Sequence, residues 1–502
     1  MDMLNNLLEG FRIALSLKNI YLCFIGCLWG TMVGVLPGIG PLAGIALLIP
    51  ATFGMDATGA IIMLSGIYYG AMYGGSTTSI LMNIPGESAS VVTCIDGYQM
   101  TRKGRGGAAL FIAAWGSWIG GTLGIIGLMF LAPFLANFAV KFGPPEMFAV
   151  LLIAFILLGS LGKGSFFKTV PMIFLGLLVG TIGMDPLTGA MRFTHGIKDL
   201  YDGIGFIPVA MGAFGIGEIL TSTEESLVRA VHKVKLRELL PSREELRASW
   251  GPIIRGTGIG FFIGLLPGSA HVLSSFASYT VEKRLAKRPE EFGTGRIEGV
   301  AGPETANNAA SQSAMIPFLG LGIPTGPATA VMMIALLIHG VRPGPLFISE
   351  QPQVFWSLVA SMYIGNVILI ILNLPLVGIF INLLRVPFRI LFPLILLICL
   401  IGTYAVNSST VELIILLTCG VMGYLFRKLE FDVAPFILAI IIGPTLENAF
   451  RWSLMRSAGS FAIFVHSPIT AVLITLSGLL LIWNVYRTLR PKRDWERALE
   501  EE

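Results

Sequence analysis

The sequence predicts an all-α polytopic membrane protein whose two halves are inverted-topology repeats. Of its 502 residues, 54% are hydrophobic and only 13% are charged, whereas roughly a quarter of the residues in a soluble globular protein are charged. Its mean hydropathy is +0.78, and apolar runs long enough to cross a bilayer recur along the chain. The net charge of +4 is small and spread through loops, so it gives no indication of a nucleic-acid partner.

Apolar runs of about 20 residues predict membrane-spanning helices. In the first half we predict spans near residues 19–36, 57–82, 107–140, 146–162, 166–184 and 204–221. In the second half we predict spans near residues 252–268, 303–339, 352–384, 386–405, 409–426, 431–446 and 457–487. Several runs are too long for one crossing or are interrupted, so we expect helical hairpins or discontinuous helices and about 11–14 crossings in all.

Charge divides the chain into four parts. Residues 1–221 form the first transmembrane repeat, and residues 222–250 form a charged linker or amphipathic segment with acids and bases mixed. Residues 251–487 form the second repeat with additional C-terminal helices, and residues 488–502 are a polar tail. The N-terminal residues carry acids and asparagines but no cleavage pattern, so we expect the first apolar run to remain as a membrane helix.

Two motifs occur once in each half, in the same order. Leu-Pro-Gly ends an apolar run in GVLPGIGPLAGIALLIP (residues 34–50) and again in GLLPGSAHVLSSFASYT (residues 264–280). Further on, NIPGESAS (residues 83–90) corresponds to GIPTGPAT (residues 322–329), and each follows a run of small and hydroxylated residues. Paired interrupted segments are typical of transporter repeats, although chance similarity of Gly-Pro segments is the alternative interpretation.

The loop charges predict that the repeats are inverted. In the first half the bases Arg102, Lys103 and Arg105 follow the second motif, whereas residues 54–59 before it contain no base. In the second half the bases lie before the second motif, at residues 283–288, and only Arg342 follows it. Because Lys and Arg mark cytoplasmic loops, the two halves should cross the membrane in opposite senses.

A Pro-Gly interruption inside a span exposes backbone N–H groups at one half-helix end and carbonyl groups at the other. The N–H end suits an anion, and the carbonyl end with hydroxyl or amide oxygens suits Na⁺. The predicted substrate-binding residues are Ser76, Thr77, Thr78, Asn83, Pro85, Gly86, Asn307, Asn308, Pro324, Thr325 and Gly326. The predicted cation-coupling residues are Gly38, Gly40, Ser79, Gly268, Ser269 and Glu304, and Ser311 and Thr329 also belong to the polar lining. Helix–helix packing is the alternative role for the small and hydroxylated positions.

Charged residues near the motifs have two interpretations each. Glu87 and Glu304 each follow a Gly-Pro or Pro-Gly pair, so either could carry a proton or bind a cation, or could simply cap a hairpin end. His271 could titrate during transport or be satisfied locally, and Arg342 could pair with a carboxylate or mark orientation. The five cysteines mostly lie in apolar runs, where free Cys behaves as a small hydrophobic residue.

Enzyme signatures are absent from the sequence. The run LLGSLGKGSF around Lys163 lacks the spacing of a phosphate-binding loop, and no His-Glu-x-x-His zinc motif or dense acidic cluster occurs. We therefore expect no catalytic residue, no metal site and no cofactor. An integral membrane enzyme is the out-of-class alternative.

The motifs resemble those of the large membrane subunit of the tripartite tricarboxylate transporters. The segments that carry the resemblance are YYGAMYGGSTTSILMNIPGESASVVTCIDGYQM (68–100), GLLPGSAHVLSSFASYTVEKR (264–284), EGVAGPETANNAA (298–310), GIPTGPATAVMMIALLIHGVRPGP (322–345) and GPTLENAFRWSL (443–454). Length and organisation fit over nearly the whole chain. Departures from the family pattern occur at residues 269–271, at Gln99 and at Pro327, and they bear on the particular substrate.

The resemblance implies cation-coupled uptake of organic acids, with Na⁺ or H⁺ as the coupling ion, across a bacterial inner membrane. It implies two protein partners, a small membrane subunit and a periplasmic solute-binding protein, in addition to the organic-acid substrate and the lipid bilayer. A stand-alone secondary carboxylate carrier that needs no binding protein is the second interpretation within transporters.

Overall fold

A computed structural model of the chain describes residues 2–36, 40–140, 142–161, 166–217, 220–221, 239–267, 270–383, 393, 396–397, 399–401, 403–404 and 408–489. These residues are mostly helical, as the sequence predicts. The strands among them form a two-stranded antiparallel hairpin of Gly183–Met184 and Met191–Arg192.

The described part of the first half contains nine α-helices: α1 (Asp2–Ala14), α2 (Leu17–Val35), α3 (Gly40–Thr52), α4 (Ala57–Met82), α5 (Val91–Arg102), α6 (Gly106–Ala139), α7 (Pro144–Leu161), α8 (Phe166–Gly180) and α9 (Phe206–Ala210). A 3₁₀ turn at Ser88–Ser90 leads into α5, another occurs at Lys198–Leu200, and α9 continues as a π-helix, Met211–Ile216.

The described part of the second half contains twelve α-helices: α10 (Arg243–Gly264), α11 (Ala270–Leu285), α12 (Glu298–Ser313), α13 (Met315–Leu321), α14 (Pro327–Ile338), α15 (Phe347–Glu350), α16 (Pro352–Asn373), α17 (Val377–Leu383), α18 (Thr410–Lys428), α19 (Val433–Arg456), α20 (Ile463–His466) and α21 (Pro468–Leu489). A 3₁₀ turn, Pro289–Glu291, lies between α11 and α12.

Side-chain caps and left-handed residues fix where several helices begin and end. Asp56 caps α4 by accepting a hydrogen bond from the backbone N–H of Gly59, and such a cap satisfies one of the four free N–H groups at a helix start. At its other end α4 stops at Asn83, with φ +60°. The predicted span at residues 57–82 therefore coincides with one helix.

The predicted run at residues 303–339 is longer than one crossing and contains the GIPTGPAT interruption, and in the structure it is divided among α12, α13 and α14. Gly322 adopts the left-handed conformation with φ +71° and ends α13. One sequence boundary differs from the structure. The predicted linker boundary at residue 250 falls inside α10, because Ser242 and Glu245 form a capping box that starts the helix at Arg243. Residues 222–238 of that linker, most of the span at 386–405 and the tail at 490–502 lie outside the described residues.

Length and apolar composition qualify five described helices to cross a membrane. They are Leu17–Val35, Gly106–Ala139, Pro352–Asn373, Thr410–Lys428 and the part of α21 at Pro468–Tyr486. Shorter apolar helices occur at Gly40–Thr52, Pro144–Leu157, Phe167–Gly180 and Pro327–Ile338. Large side chains such as Phe130, Phe174 and Phe262 are at least 60% exposed, as expected for surfaces that face lipid rather than water. The chain is a multi-pass membrane protein.

Glycines bring helix backbones into direct contact in both halves. In the first half Gly26, Gly30 and Gly34 of α2 lie against the carbonyl groups of Met63, Ile67 and Ala71 in α4. In the second half Gly256, Gly260 and Gly264 of α10 lie in the same way against Gly302, Ala306 and Ala310 of α12. At each glycine an added Cβ would approach the facing carbonyl oxygen to less than 3.0 Å, so only glycine permits this approach. Equivalent helices of the two halves thus make equivalent contacts.

Polar contacts show which loops share an end of the bundle. The buried Asp96 on α5 accepts hydrogen bonds from the backbone N–H groups of Gly293, Gly295 and Arg296 at 3.0, 2.7 and 2.8 Å. Helix α5 and the loop between α11 and α12 therefore lie side by side. Thr52 Oγ1 and His339 Nε2, which are 2.9 Å apart, lie in a second pair of neighbouring connections. The inverted sense of the halves stays a prediction.

The helices of the two halves are interleaved in the core. The largest hydrophobic cluster combines Tyr68 and Tyr69 of α4 with Phe318 of α13 and Phe355 of α16. A further cluster joins Leu151 and Phe155 of α7 to Leu438 of α19. Helices that are distant in sequence therefore meet in pairs, and this arrangement brings polar residues of the two halves together.

We expect Gly260→Ala to destabilise the protein by about 1–3 kcal/mol, because the new methyl group would overlap the carbonyl group of Ala306. Gly258→Ala on the same helix is the matched control, since an added Cβ there meets no atom within 4 Å. Thermal denaturation of both purified variants in detergent measures the difference. Equal melting temperatures for the two variants would contradict the close approach of α10 and α12.

We also expect Lys103 and Lys287, both exposed, to lie on the cytoplasmic side, because Lys and Arg mark cytoplasmic loops. Cysteines placed at either position should react with a membrane-impermeant maleimide only after the cells are opened. Glu350→Cys, in the connection between α14 and α16, provides a control for the opposite side. Labelling of position 103 or 287 in intact cells would refute the inverted repeat.

Candidate functional site

The carboxylate of Glu304 is the centre of a polar cluster that joins the two halves. Glu304 lies in α12 and is 1% exposed. Its Oε2 accepts a hydrogen bond of 2.5 Å from Ser76 Oγ of α4, and its Oε1 accepts one from Thr93 Oγ1 of α5. Within the described residues no base pairs with this carboxylate, and a buried charge without a counter-charge is costly.

The backbone of Glu304 takes part in the same cluster. Asn308 Nδ2 donates to Ser117 Oγ of α6 at 2.7 Å and to the carbonyl oxygen of Glu304 at 3.1 Å. Ser117 Oγ also donates a hydrogen bond to that carbonyl oxygen, at 3.4 Å. Four helices, α4, α5, α6 and α12, therefore meet in one hydrogen-bonded unit.

Asn307 connects the cluster to the first interruption. Its Nδ2 donates to Glu87 Oε1 at 3.1 Å. One turn of helix separates Asn307 from Ser311, whose hydroxyl donates to the Asn307 carbonyl oxygen at 3.0 Å. Nearby, Tyr68 OH and His271 Nε2 are 2.8 Å apart, so His271 is satisfied at one ring nitrogen by a tyrosine of the other half.

Several buried polar atoms in this region lack a partner among the described residues. They are Asn307 Oδ1, Asn308 Oδ1 and His271 Nδ1. Unpaired buried acceptors are rare in native structures and need an explanation, such as a bound water or ion. Both orphaned amide oxygens sit on α12 beside Glu304, so the cluster has unused capacity to accept hydrogen bonds or to bind a cation.

The two interruptions have the same local structure. Each helix ends on a left-handed residue, Asn83 in the first half and Gly322 in the second. Ser90 Oγ then donates to the Glu87 carbonyl oxygen at 2.8 Å, and Thr329 Oγ1 donates to the Gly326 carbonyl oxygen at 2.9 Å. The pairing of NIPGESAS with GIPTGPAT thus extends from sequence to hydrogen bonds.

The interruptions differ in charge. Glu87 Oε2 accepts from the backbone N–H of Ala89 at 2.7 Å, so a carboxylate already occupies the helix start in the first half. The corresponding residue in the second half is Gly326, which has no side chain. Capping, the simpler interpretation of Glu87, is therefore observed. Glu304 lies in the middle of α12 and does not cap a helix, so that interpretation is wrong for Glu304.

The structure brings together some of the predicted site residues and separates others. Ser76, Glu304, Asn307 and Asn308 are in or beside the cluster. Thr78 and Ser79 instead donate to the Gly75 carbonyl oxygen of their own helix, at 3.1 and 3.0 Å. Thr77 is 2% exposed on the same helix.

The interruptions themselves pack in different places. Ile84, beside Asn83 and Pro85, belongs to a cluster with Ile112 and Val300. Ile323, beside Pro324, belongs instead to the cluster of α7 and α19. In the second interruption Thr325 Oγ1 donates to the Ala314 carbonyl oxygen at 3.3 Å.

The predicted glycines have different surroundings. At Gly86 an added Cβ would lie closer than 3.0 Å to Gly34, Gly75 and Thr78, so a larger residue there would disturb helix packing. Gly40 opens α3 with φ +64°, and an added Cβ there meets no atom within 4 Å. Gly38, Gly268 and Ser269 lie outside the described residues. Arg342 is exposed, which fits the interpretation as an orientation signal.

Thr93 and Ser117 are site residues that the sequence did not single out. Both are 1% exposed, and each contributes a hydroxyl to the Glu304 cluster. Thr93 lies in the motif segment at residues 68–100. It is 211 positions away from Glu304 in the chain, so the sequence gives no sign that the two residues are in contact. No sequence pattern around Ser117 marks it.

Metal-ligand geometry is not found in the described residues, because they contain no group of three His, Cys, Asp or Glu side chains able to hold a metal ion. The five cysteines are free, and four of them are buried.

Away from the Glu304 cluster, a cavity of about 370 Å³ lies among α7, α8 and α19. Its lining includes Phe148, Leu177, Leu446 and Phe450, with Glu447 as the charged residue. Beside it, Arg451 Nη1 contacts Asp185 Oδ2 at 2.7 Å, and the Arg451 guanidinium holds the pKa of the Asp185 carboxyl well below its usual range. Glu447 pairs with Arg192 at 2.7 Å and with Arg451 at 3.1 Å, so its charge is compensated. The Glu304 carboxylate has no such counter-charge among the described residues, so we favour the Glu304 cluster as the functional site.

Comparison with known proteins gives one family. The family model described as the tripartite tricarboxylate transporter TctA family matches residues 20–438. No solved structure matches the chain.

Three relatives extend the comparison. The chain is 48% identical over 494 residues to an uncharacterized 52.8 kDa protein in the TAR-I ttuC' 3' region of Agrobacterium vitis, with 98% of both chains covered. It is 45% identical over 235 residues to an uncharacterized protein in the TAR-II ttuC' 3' region of the same organism, which covers 47% of this chain and 97% of the relative. An uncharacterized protein of Methanocaldococcus jannaschii is 25% identical over 443 residues, or 86% of this chain and 99% of the relative.

The hydrogen bond between Ser76 and Glu304 predicts energetic coupling between the two halves. We expect Ser76→Ala and Glu304→Gln to be non-additive by about 1.5–3 kcal/mol, because the bond involves a carboxylate. The free energy of unfolding in detergent is measured for both single variants and the double variant. Ser79→Ala replaces Ser76→Ala in the control cycle, since the Ser79 hydroxyl is satisfied within its own helix. Additive effects in the Ser76 cycle would contradict the interaction.

Proposed function

We propose a transport function on one premise, which is that the chain belongs to the tripartite tricarboxylate transporter TctA family. The matched region covers most of the chain, and a relative that is 48% identical aligns over 98% of it. Membership makes the chain the large membrane subunit of such a transporter. Because this is a transporter family, an enzymatic role has no support from the relationship.

The specific activity that we propose is that of a permease subunit in a binding-protein-dependent secondary transporter. It takes up organic acids, namely tri- or dicarboxylates or related anions, across the bacterial inner membrane with Na⁺ or H⁺ as the coupling ion. A small membrane subunit and a periplasmic solute-binding protein are its partners. The observation that carries the proposal is the buried cluster around Glu304, since an ionisable side chain inside a membrane bundle is expensive and usually functional.

We assign the coupling charge to Glu304. Its carboxylate is buried, is held by hydroxyl donors from the other half, and lacks a basic partner in the described part of the chain. Such a group is neutral when it binds a proton and is compensated when a cation lies beside it. Either state allows the cluster to change its charge during a transport cycle.

We assign the substrate anion to the second interruption, at residues 324–326, rather than to the first. Glu87 already places a negative charge at the start of the 3₁₀ turn and α5 in the first interruption, and a second anion there would be repelled. The start of α14 carries no acidic residue in its first turn. A helix of 12 residues offers about half a positive charge at such an end, although the Gly326 N–H already donates to Thr329 Oγ1 at 3.0 Å and Pro327 has no N–H.

A stand-alone secondary carboxylate carrier is the second candidate. The same cluster and the same interruptions would serve it equally, and only dependence on a periplasmic protein separates the two candidates. An integral membrane enzyme is the third, and it would alter the substrate chemically.

Uptake by membrane vesicles tests the proposal. We expect vesicles that contain the chain and its small subunit to accumulate a labelled organic acid only when periplasmic extract from the cells of origin is added. We expect accumulation to require an inward Na⁺ or H⁺ gradient, and the recovered acid to be chemically unchanged. Accumulation without extract would favour the stand-alone carrier, and a changed substrate would favour an enzyme.

A further inference from the structure

A small buried cavity adjoins the Glu304 cluster. Its volume is about 10 Å³, which is about the space that one water molecule needs. The oxygen-bearing side chains in its lining are Tyr73, Ser76, Thr77, Ser117 and Asn373. All five are at most 4% exposed, and the remaining lining residues are leucine and alanine.

The hydrogens of several lining groups are committed to other partners. Tyr73 OH donates to Asn366 Oδ1 at 2.5 Å, and Ser76 Oγ donates to Glu304 Oε2 at 2.5 Å. Ser117 Oγ accepts from Asn308 Nδ2 and is oriented as a donor to the Glu304 carbonyl oxygen. These oxygens therefore have lone pairs, rather than hydrogens, available for a ligand in the cavity.

Asn373 supplies an independent sign of a ligand. Its Nδ2 donates to the Leu369 carbonyl oxygen of its own helix at 3.0 Å. Its Oδ1 is buried and has no hydrogen-bond partner among the described residues. A buried amide oxygen that is left unpaired costs free energy, and a cation in the cavity would remove this cost.

Charge favours a cation over a neutral molecule. Ser76 lines the cavity and also contacts the Glu304 carboxylate directly, so the cavity lies one hydroxyl group away from a negative charge that no described base compensates. Hard cations prefer oxygen ligands of this kind, namely hydroxyl and amide oxygens supported by a carboxylate.

We propose that this cavity binds one dehydrated monovalent cation of the size of Na⁺, with Asn373 Oδ1 and the hydroxyl oxygens of Ser76, Thr77 and Ser117 as ligands. The phenolic oxygen of Tyr73 completes the shell, and Glu304 balances the charge through Ser76. The inference rests on the proposed cation-coupled transport and names the site of its ion.

Equilibrium binding of ²²Na⁺ to the purified full chain, together with its small subunit and without organic acid, tests the site. We expect saturable binding to the parent protein. Asn373→Leu should weaken the affinity for Na⁺ by about ten-fold or more, because it removes one oxygen ligand and leaves the cation with an incomplete coordination shell. Thr77→Val, which keeps the side-chain shape, should weaken it several-fold for the same reason.

Ser361→Ala is the matched control. Ser361 lies on the same helix as Asn373, is 1% exposed, and donates to the Leu358 carbonyl oxygen of its own helix at 2.7 Å. Its loss should leave Na⁺ affinity unchanged. Melting temperatures identify folded variants, and Thr77→Val decides the question if Asn373→Leu does not fold.

Two results would overturn the site: a parent protein without saturable Na⁺ binding, or folded Asn373→Leu and Thr77→Val proteins that bind Na⁺ like the parent. Neither result contradicts the proposed transport function if extract-dependent uptake persists, for example with a proton gradient alone. Conversely, intact Na⁺ binding without any uptake of organic acid would remove the proposed function and leave the cation site in place.

Discussion

The interaction on which the rest of the site depends is the burial of the Glu304 carboxylate between the two halves. Removing such a group from water costs several kcal/mol, which hydrogen bonds only partly offset. Ser76 and Thr93 supply those bonds from α4 and α5. These two helices and α12 must therefore keep their register for the cost of burying the carboxylate to stay partly offset. The small residues around it follow from this requirement. At Gly116, for instance, an added Cβ would overlap the Thr305 hydroxyl, and a larger residue would hold α6 away from the cluster.

The sequence predicted the helical membrane fold because composition and the lengths of apolar runs determine it. It predicted the bounds of α4 because Asp56 and Asn83 are strong local signals for a helix start and end. It missed α3 and α11 as spans, since α3 has only 13 residues and α11 is polar, with serines along it and bases in its last turn, so neither forms an apolar run of about 20 residues. The interruption at residues 322–329 was predicted from its Gly and Pro residues, whereas the boundary between α12 and α13 carries no such signal in the sequence.

The site was predicted in part for a similar reason. Glu304, Asn307 and Asn308 stand out because amides and acids are conspicuous in a membrane segment. Thr93, Ser117 and Asn373 do not stand out, since a single hydroxyl or amide in an apolar helix also serves packing. What identifies them is convergence from four helices, and convergence of residues 191 or more positions apart is not visible in one sequence without an alignment.

The glycine contacts between α2 and α4, and between α10 and α12, have a mechanical consequence. Three successive turns of backbone lie against backbone in each pair, and sliding by less than a full turn would drive a carbonyl group into the neighbouring chain. Each pair is therefore expected to move as one unit. Shear during a transport cycle is therefore expected at seams that side chains fill, where rotamers can exchange, rather than within either glycine-packed pair.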